Sequence, residues 1–233
     1  TQSRSSAASD VYKRQHYVRA KEKNLECGTV VQKTKADLLP VDVVRDENDY
    51  SIIMTQGTPA VSAPVGDTVR NRIADALGIA REEICREYPV AIAFTGHSKV
   101  MVPLYSNELL HGLQPDLQKM TEISKQIECN GYYAFTLNPQ KKILVHGRMF
   151  APAIGIAEDP VTGNANGPLG AYLVHYNILQ DADEPCLDFD ILQGEAVKRD
   201  GTIHVHVEKE HGAPKLVQIT GNAVIAFSTE ITI

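Results

Sequence analysis

Short apolar runs rich in β-branched residues, broken by Gly, Pro and Asp clusters, dominate the chain. Gly28–Lys33, Leu39–Arg45 and Tyr50–Thr55 read as strands, with the acidic turn Asp46-Glu-Asn-Asp49 joining the last two. Gly57-Thr-Pro59 closes the third. Asp67 or Thr68 can cap a short helix that places Val69, Ile73, Ala76 and Leu77 on one face, and Gly78 stops it. Pro89–Phe94 and Lys99–Leu104 read as strands around the turn Thr95-Gly-His-Ser98. Pro115–Ile127 is an amphipathic helix, with Leu117, Met120, Ile123 and Ile127 at helical spacing. Tyr132–Leu137 and Leu144–Phe150 are strands, and a run of small and apolar residues, about 164–176, reads as a buried helix. The remainder is β-rich: Leu187–Ile191, Glu195–Lys198, Ile203–Glu208, Lys215–Thr220 and Ala223–Thr229. The pattern predicts an α+β fold.

A helix end followed by three strands occurs twice. The first copy is Tyr17-Val18, Thr29–Gln32, Pro40–Arg45 and Tyr50–Met54. The second is Tyr172–Tyr176, Leu187–Ile191, Glu195–Lys198 and Ile203–Val207. The matching pieces Val43-Val-Arg-Asp46 and Ala196-Val-Lys-Arg-Asp200 point the same way. A duplicated α+β unit predicts two lobes, a partial one over residues 16–88 and a complete one over 89–233. Residues 1–15 are Ser-rich, lack the apolar core of a secretory signal and look foreign to the domain. They are expected to have no defined packing. Native sequence is expected to begin near His16, mid-helix, with the front of the first lobe upstream of it.

With 233 residues, 43% of them hydrophobic and 22% charged, the chain can bury real cores. The formal net charge of -6 gives no general affinity for nucleic acid or anionic membrane, and no apolar run is long enough to span a bilayer. Cys27, Cys85, Cys129 and Cys186 show neither C-x-x-C nor metal-ligand spacing, so reduced thiols and a cytoplasmic setting are expected.

Candidate chemistry concentrates at Glu158-Asp-Pro-Val-Thr-Gly-Asn-Ala-Asn-Gly-Pro168, where two adjacent acids precede the buried helix. Unpaired N–H groups at a helix N-terminus can hold a substrate carboxylate while a neighbouring acid moves a proton. A plain Asp cap at a strand-to-helix turn explains the same residues. The turn lacks the Lys-Ser/Thr of a phosphate-binding P-loop and does not fit G-x-G-x-x-G. His204 and His206 share one strand face and could bind metal with His211, but no carboxylate or Cys accompanies them at recognised spacing, so a solvated face and no metal are expected. His97 is expected in a turn, His16 and His175 at helix ends, and Tyr132, Tyr133 and Cys129 in the core.

The 158–168 motif, with Gly147-Arg-Met-Phe150 before it, resembles the phenazine-biosynthesis-like (PhzF-like) isomerase family. Thr95-Gly-His-Ser-Lys-Val-Met101, Cys129-Asn-Gly131 and Gln56-Gly-Thr-Pro59 support it, and the resemblance runs from about His16 to the C-terminus. It implies the diaminopimelate-epimerase fold: two pseudo-symmetric lobes, each a curved sheet or barrel around a central helix, with the first incomplete here. It also implies a catalytic pair, of which Asp159 is one member. The partner Glu is expected in the missing N-terminal part, so the chain as given is expected to be inactive. Thr162, Gly163, Asn164 and Ala165 would bind the substrate, and Asn164 stands where the family often has Ser. A thiol-based racemase is disfavoured, because Asp159 stands where its second-lobe Cys would be. The implied activity is proton transfer at carbon in a small carboxylate-bearing metabolite, with no cofactor. A homodimer is the assembly to look for. The alternative is a non-catalytic small-carboxylate-binding protein of the same fold.

Overall fold

The computed structural model describes residues 7–33, 38–46, 49–138, 144–179, 184–223, 225 and 229. Its elements are α1 (Ala7–Lys23), β1 (Gly28–Lys33), β2 (Leu38–Asp46), β3 (Asp49–Thr55), β4 (Ala60–Pro64), α2 (Asp67–Leu77), β5 (Ala91–Phe94), β6 (Ser98–Pro103), α3 (Asn107–Gly112), α4 (Leu117–Ile127), β7 (Tyr132–Leu137), β8 (Val145–Ala151), β9 (Ile156–Asp159), α5 (Gly163–His175), β10 (Cys186–Gln193), β11 (Gly201–Glu210) and β12 (Ala213–Gly221). The α+β class expected from the pattern is the one observed. One sheet runs β1-β2-β3-β12-β11-β10-β8-β7-β6-β5-β4, with β9 folded back on β8. Only β6–β7 and β8–β10 are parallel among these pairs.

Period-2 side-chain alternation sorts the central strands onto two cores. Met101, Tyr133, Phe135, Met149, Val205 and Val217 pack on α5. Val100, Val102, Tyr132, Ala134 and Phe150 face the opposite way, with Ile73, Leu77, Met120 and Ile123 of α2 and α4. Strands covered on both faces carry near-continuous apolar sequence, which explains why β7 looks unbroken rather than alternating. A third, smaller core joins Tyr17 and Ala20 of α1 to Val41, Val43, Tyr50, Ile52 and Met54. The segment 60–88, grouped above with the first lobe, pairs and packs with strands of the second: β4 pairs β5, and α2 lies in the core of β6 and β7.

The duplicated unit is present in a shifted register. α1 leads the antiparallel meander β1-β2-β3 and α5 leads β10-β11-β12, and the meanders join where β3 pairs β12. Glu195–Lys198, expected as a strand, is instead a one-turn 3₁₀ helix over Glu195–Val197. Gly194 takes φ 98, and a Cβ there would meet the Arg199 and Pro160 carbonyls at 2.4 and 2.7 Å. This tight turn is pressed against the residue after Asp159, and the third strand of the repeat is β12. The match between Val43–Asp46 and Ala196–Asp200 is therefore one of sequence, not of structure.

Other differences have local causes. Gly66, not Asp67 or Thr68, is the N-cap of α2 and makes no side-chain bond, while Asp67 sits in the first turn. Its charge there suits the helix dipole. Gly78 does stop α2, with φ 74. Strand β4 escaped the pattern because the turn Gly57-Thr-Pro59 precedes it and Pro64 ends it, yet β4 lies at the end of the sheet order among the described strands, an edge where Pro is tolerated. α1 begins at Ala7, inside the segment expected to have no defined packing, and His16 lies within it rather than at its end. Ala223–Thr229 falls mostly outside the described residues.

Candidate active site at the start of α5

β8 ends in a 3₁₀ turn, Pro152–Ile154, and Gly155 at φ 83 reverses the chain into β9. β9 returns along β8 with Asp159 opposite Met149. Pro160-Val161-Thr162 then leads into α5, whose residues Gly163 through Val174 are all buried. The buried helix read from the sequence is thus real. Gly170 permits its close approach to β11, since a Cβ there would lie 2.8 Å from methyls of both Val205 and Val207.

The two adjacent acids have opposite fates. Glu158 is held by Arg148 through two parallel bonds, Nε to Oε1 at 2.9 Å and Nη2 to Oε2 at 2.8 Å. Arg148 Nη1 also donates to the carbonyls of Leu110 and Leu113 at 3.0 and 3.2 Å. Both side chains are largely buried, and the bidentate geometry commits Glu158 to structure. Asp159 has no such cation among the described residues. Burial pushes its carboxyl above the ordinary value; Thr162, the Val161 N–H and the charges of Arg14 and Arg199 act in the other direction without cancelling it.

Gln193 at the end of β10 locks the turn. It is fully buried, donates to the Asp159 carbonyl at 2.7 Å, and accepts from Asn166 Nδ2 at 3.0 Å and the Thr162 N–H at 3.4 Å. The N–H groups of Ala165 and Asn166 bond the Thr162 carbonyl. Those of Gly163 and Asn164 close no hydrogen bond to a described residue, so two donors remain at the positive end of the helix dipole. Asn164 is 7% exposed and Thr162 fully buried.

Two more sequence motifs converge here. The Gly57 N–H bonds the Thr95 carbonyl at 3.0 Å, and a Cβ on Gly167 would lie 3.0 Å from Thr95 Oγ1 and 3.2 Å from Gln56 Cγ. Thr95 Oγ1 is buried and has no partner among the described residues. His97 does lie in the β5–β6 turn, its imidazole pKa lowered by burial and by Lys99.

Lys99 is the residue that sequence reasoning missed. It lies on β6 on the same side as Met101, the α5 side, and is 2% exposed. Its stem crosses Gly131, where a Cβ would come within 2.6 Å of Lys99 Cδ, and Nζ donates to the Ser98 carbonyl at 3.1 Å. Burial lowers its pKa to about 8, opposed by the charges of Cys129 and Asp159. A lone Lys opening the apolar run Val100–Pro103 was the available signal. Arg14, whose charge also reaches Asp159, lines an open surface depression of about 360 Å³ along α1 with Val18 and Arg19.

Among the described residues the arrangement offers a carboxyl of raised pKa and two unpaired N–H donors at the start of α5, with a buried ammonium close enough for its charge to interact with Asp159. This sequence matches the family described as phenazine biosynthesis-like protein over residues 14–229. It is 47% identical over 219 residues to an uncharacterised isomerase of Clostridium acetobutylicum, covering 94% of this chain and 72% of that one. It is 45% identical over 215 residues to the uncharacterised isomerase YddE of Escherichia coli, covering 92% and 72%. A more distant relative, the trans-2,3-dihydro-3-hydroxyanthranilate isomerase of Pseudomonas chlororaphis, is 29% identical over 150 residues, 64% of this chain and 48% of that one. Among solved structures, a PhzF-family phenazine biosynthesis protein of Bacillus anthracis superposes with a TM-score of 0.80 at 27% identity, covering 94% of this chain and 73% of that one.

Proposed function

The chain belongs to the phenazine biosynthesis-like protein family and is an isomerase; on that premise we propose that Asp159 moves a proton at carbon in a small carboxylate-bearing metabolite, without a cofactor. The observation that carries this reading is the inequality of Glu158 and Asp159. Arg148 neutralises the first, while the second is desolvated and holds its proton further up the pH scale, as a general acid–base group requires. The substrate carboxylate docks on the Gly163 and Asn164 N–H groups, and the ammonium of Lys99 offsets its charge. Thr162 and Ala165 shape the same turn. At neutral pH Lys99 is mostly protonated, consistent with its pKa of about 8. The name of the Pseudomonas relative suggests cyclic hydroxy-amino carboxylates as the first substrates to try.

The test is deuterium wash-in from D2O into such carboxylates, followed by mass spectrometry, with the chain alone and extended to the length of its relatives. Asp159→Asn should lower exchange by about 10² to 10⁴-fold, the usual worth of a positioned acid or base. Its thermal midpoint at neutral pH should not fall. Undiminished exchange would leave Asp159 as a plain cap. If the 233-residue chain exchanges unaided, the second proton-transfer group lies within it, and Lys99 becomes the first to substitute. If only the extended form exchanges, the partner Glu implied by the family resemblance is the one to test.

A further inference from the structure

The outer face of β10 and β11 gathers donors that sequence spacing scatters. Cys186, Asp188 and Asp190 alternate along β10, and His204 and His206 along β11. The antiparallel register sets Asp188 opposite His206 and Asp190 opposite His204. Inward neighbours Phe189, Ile191, Val205 and Val207 are locked in the α5 core, so both strands present the five donors from a rigid base. Cys186 Sγ, a carboxylate oxygen of Asp188 and a ring nitrogen of His206 lie within 4.8 Å of one another. His206 Nδ1 is 2.8 Å from Asp188 Oδ1, and His204 Nε2 is 3.3 Å from the same oxygen. His204 Nδ1 meets Asp190 Oδ1 at 2.9 Å.

We propose that Cys186, Asp188, His204 and His206 form a surface site for a borderline divalent cation of the zinc type. One sulfur, two imidazole nitrogens and one carboxylate oxygen suit that class and not magnesium or calcium, which take oxygen ligands. Cys186, Asp188 and His206 are already mutually close, and His204, outside that trio but with Nε2 3.3 Å from the Asp188 oxygen, is the fourth ligand to be drawn in. Asp190 acts as the outer carboxylate: by accepting a hydrogen bond from the Nδ1–H of His204 it leaves the Nε2 lone pair facing the site, the arrangement that orients metal-binding histidines. On binding, the metal–sulfur bond forms as the Cys186 thiol releases its proton to solvent. His211 lies in the β11–β12 turn and is outside the group. The reading is independent of the chemistry at Asp159, which lies at the start of α5.

Tag-free protein, stripped with EDTA, is titrated with Co²⁺ and then displaced with Zn²⁺, following absorbance. The expected result is saturable one-to-one binding with a near-ultraviolet thiolate-to-cobalt band. Cys186→Ser should abolish the band, His206→Asn should weaken binding at least as much as loss of the outer carboxylate, and Asp190→Asn should weaken it about tenfold or more. Deuterium wash-in at the other site should be indifferent to EDTA. The proposal is overturned by non-saturable binding, by a cobalt complex without the sulfur band, or by affinity unchanged in both Cys186→Ser and His206→Asn. Should Cys186→Ser not fold, the band in the unaltered protein and the His206→Asn affinity decide.

Discussion

Two helices lead the two matching meanders, and their surroundings differ. α1 packs on β2 and β3 and touches α5, and among its described side chains only Tyr17 and Ala20 are buried. α5 touches β4, β5, β6, β10, β11 and β12, and twelve consecutive residues are buried. Charge follows the same division. Beside α1, Lys21 meets Asp49 at 2.9 Å in a pair open to solvent, and Asp49 is held below the ordinary carboxylate range first by Lys21. In the part of the sheet covered on both sides, Arg148–Glu158 is desolvated on the face away from α5, beside Leu110, Leu113 and Phe150, and on the α5 side Asp159 and Lys99 are buried without a direct cation or carboxylate partner among the described residues. A helix followed by a three-stranded meander does not by itself make a site. Enclosure does, because desolvation is what displaces a carboxyl or an ammonium from its ordinary pKa.

The most severe way to break this contrast is to remove one cation from each region. Arg148→Met strands Glu158 in a buried environment and should cost about 3 to 5 kcal/mol in chemical denaturation. Lys21→Met should change little, since exposed pairs are screened and mobile. Equal losses would mean that the two pairs are equally solvated.

Lys99 sharpens the comparison through pH. Its folded pKa of about 8 lies below the ordinary 10.5, so the unfolded chain binds more protons between those values. The cost of burying the ammonium is therefore present below about pH 8 and is relieved as pH rises toward 10.5. Lys99→Met should be more stable than the parent at neutral pH by an amount on the order of 3 kcal/mol at most, and the advantage should shrink across that window. Asp159 has the opposite sign. Its raised pKa contributes stability at acid pH that is lost as pH climbs through its folded value, so Asp159→Asn should gain on the parent as pH increases. A flat difference in either variant would show that the group is hydrated.

Packing gives the smallest effects. Gly170→Ala drives a methyl toward Val205 and Val207 and should cost about 1 to 3 kcal/mol. Gly28→Ala on β1 meets nothing within 4 Å and should stay within about 0.5 kcal/mol of the parent. Thermal or urea unfolding of the two variants checks both.

Much of the fold was legible. β7 and β1 were read to the residue, α4 was found from its apolar spacing and is capped by Asp116, and Gly78 ends α2 as expected. Periodicity and turn chemistry are local, and the chain carries them wherever it folds. The acidic turn before an apolar helix was legible for the same reason. Glu195–Lys198 was misread because Ala-Val beside Lys looks like a strand, whereas Gly194 at φ 98 and the nearby Pro160 carbonyl force a turn.

The sequence by itself determined most of the strands, helices α2, α4 and α5, the apolar character of α5 and the placing of two acids ahead of it. Tertiary structure decided which acid is available, because the guanidinium that neutralises Glu158 comes from β8 and the Gln193 that braces Asp159 comes from β10. It also brought Lys99 toward Asp159 and set Cys186 and Asp188 beside His206 across a strand pair. Local pattern fixes backbone conformation and which face is apolar. Ionisation and ligand geometry depend on solvent removed and charges supplied by segments distant in the chain, and only the folded molecule settles those.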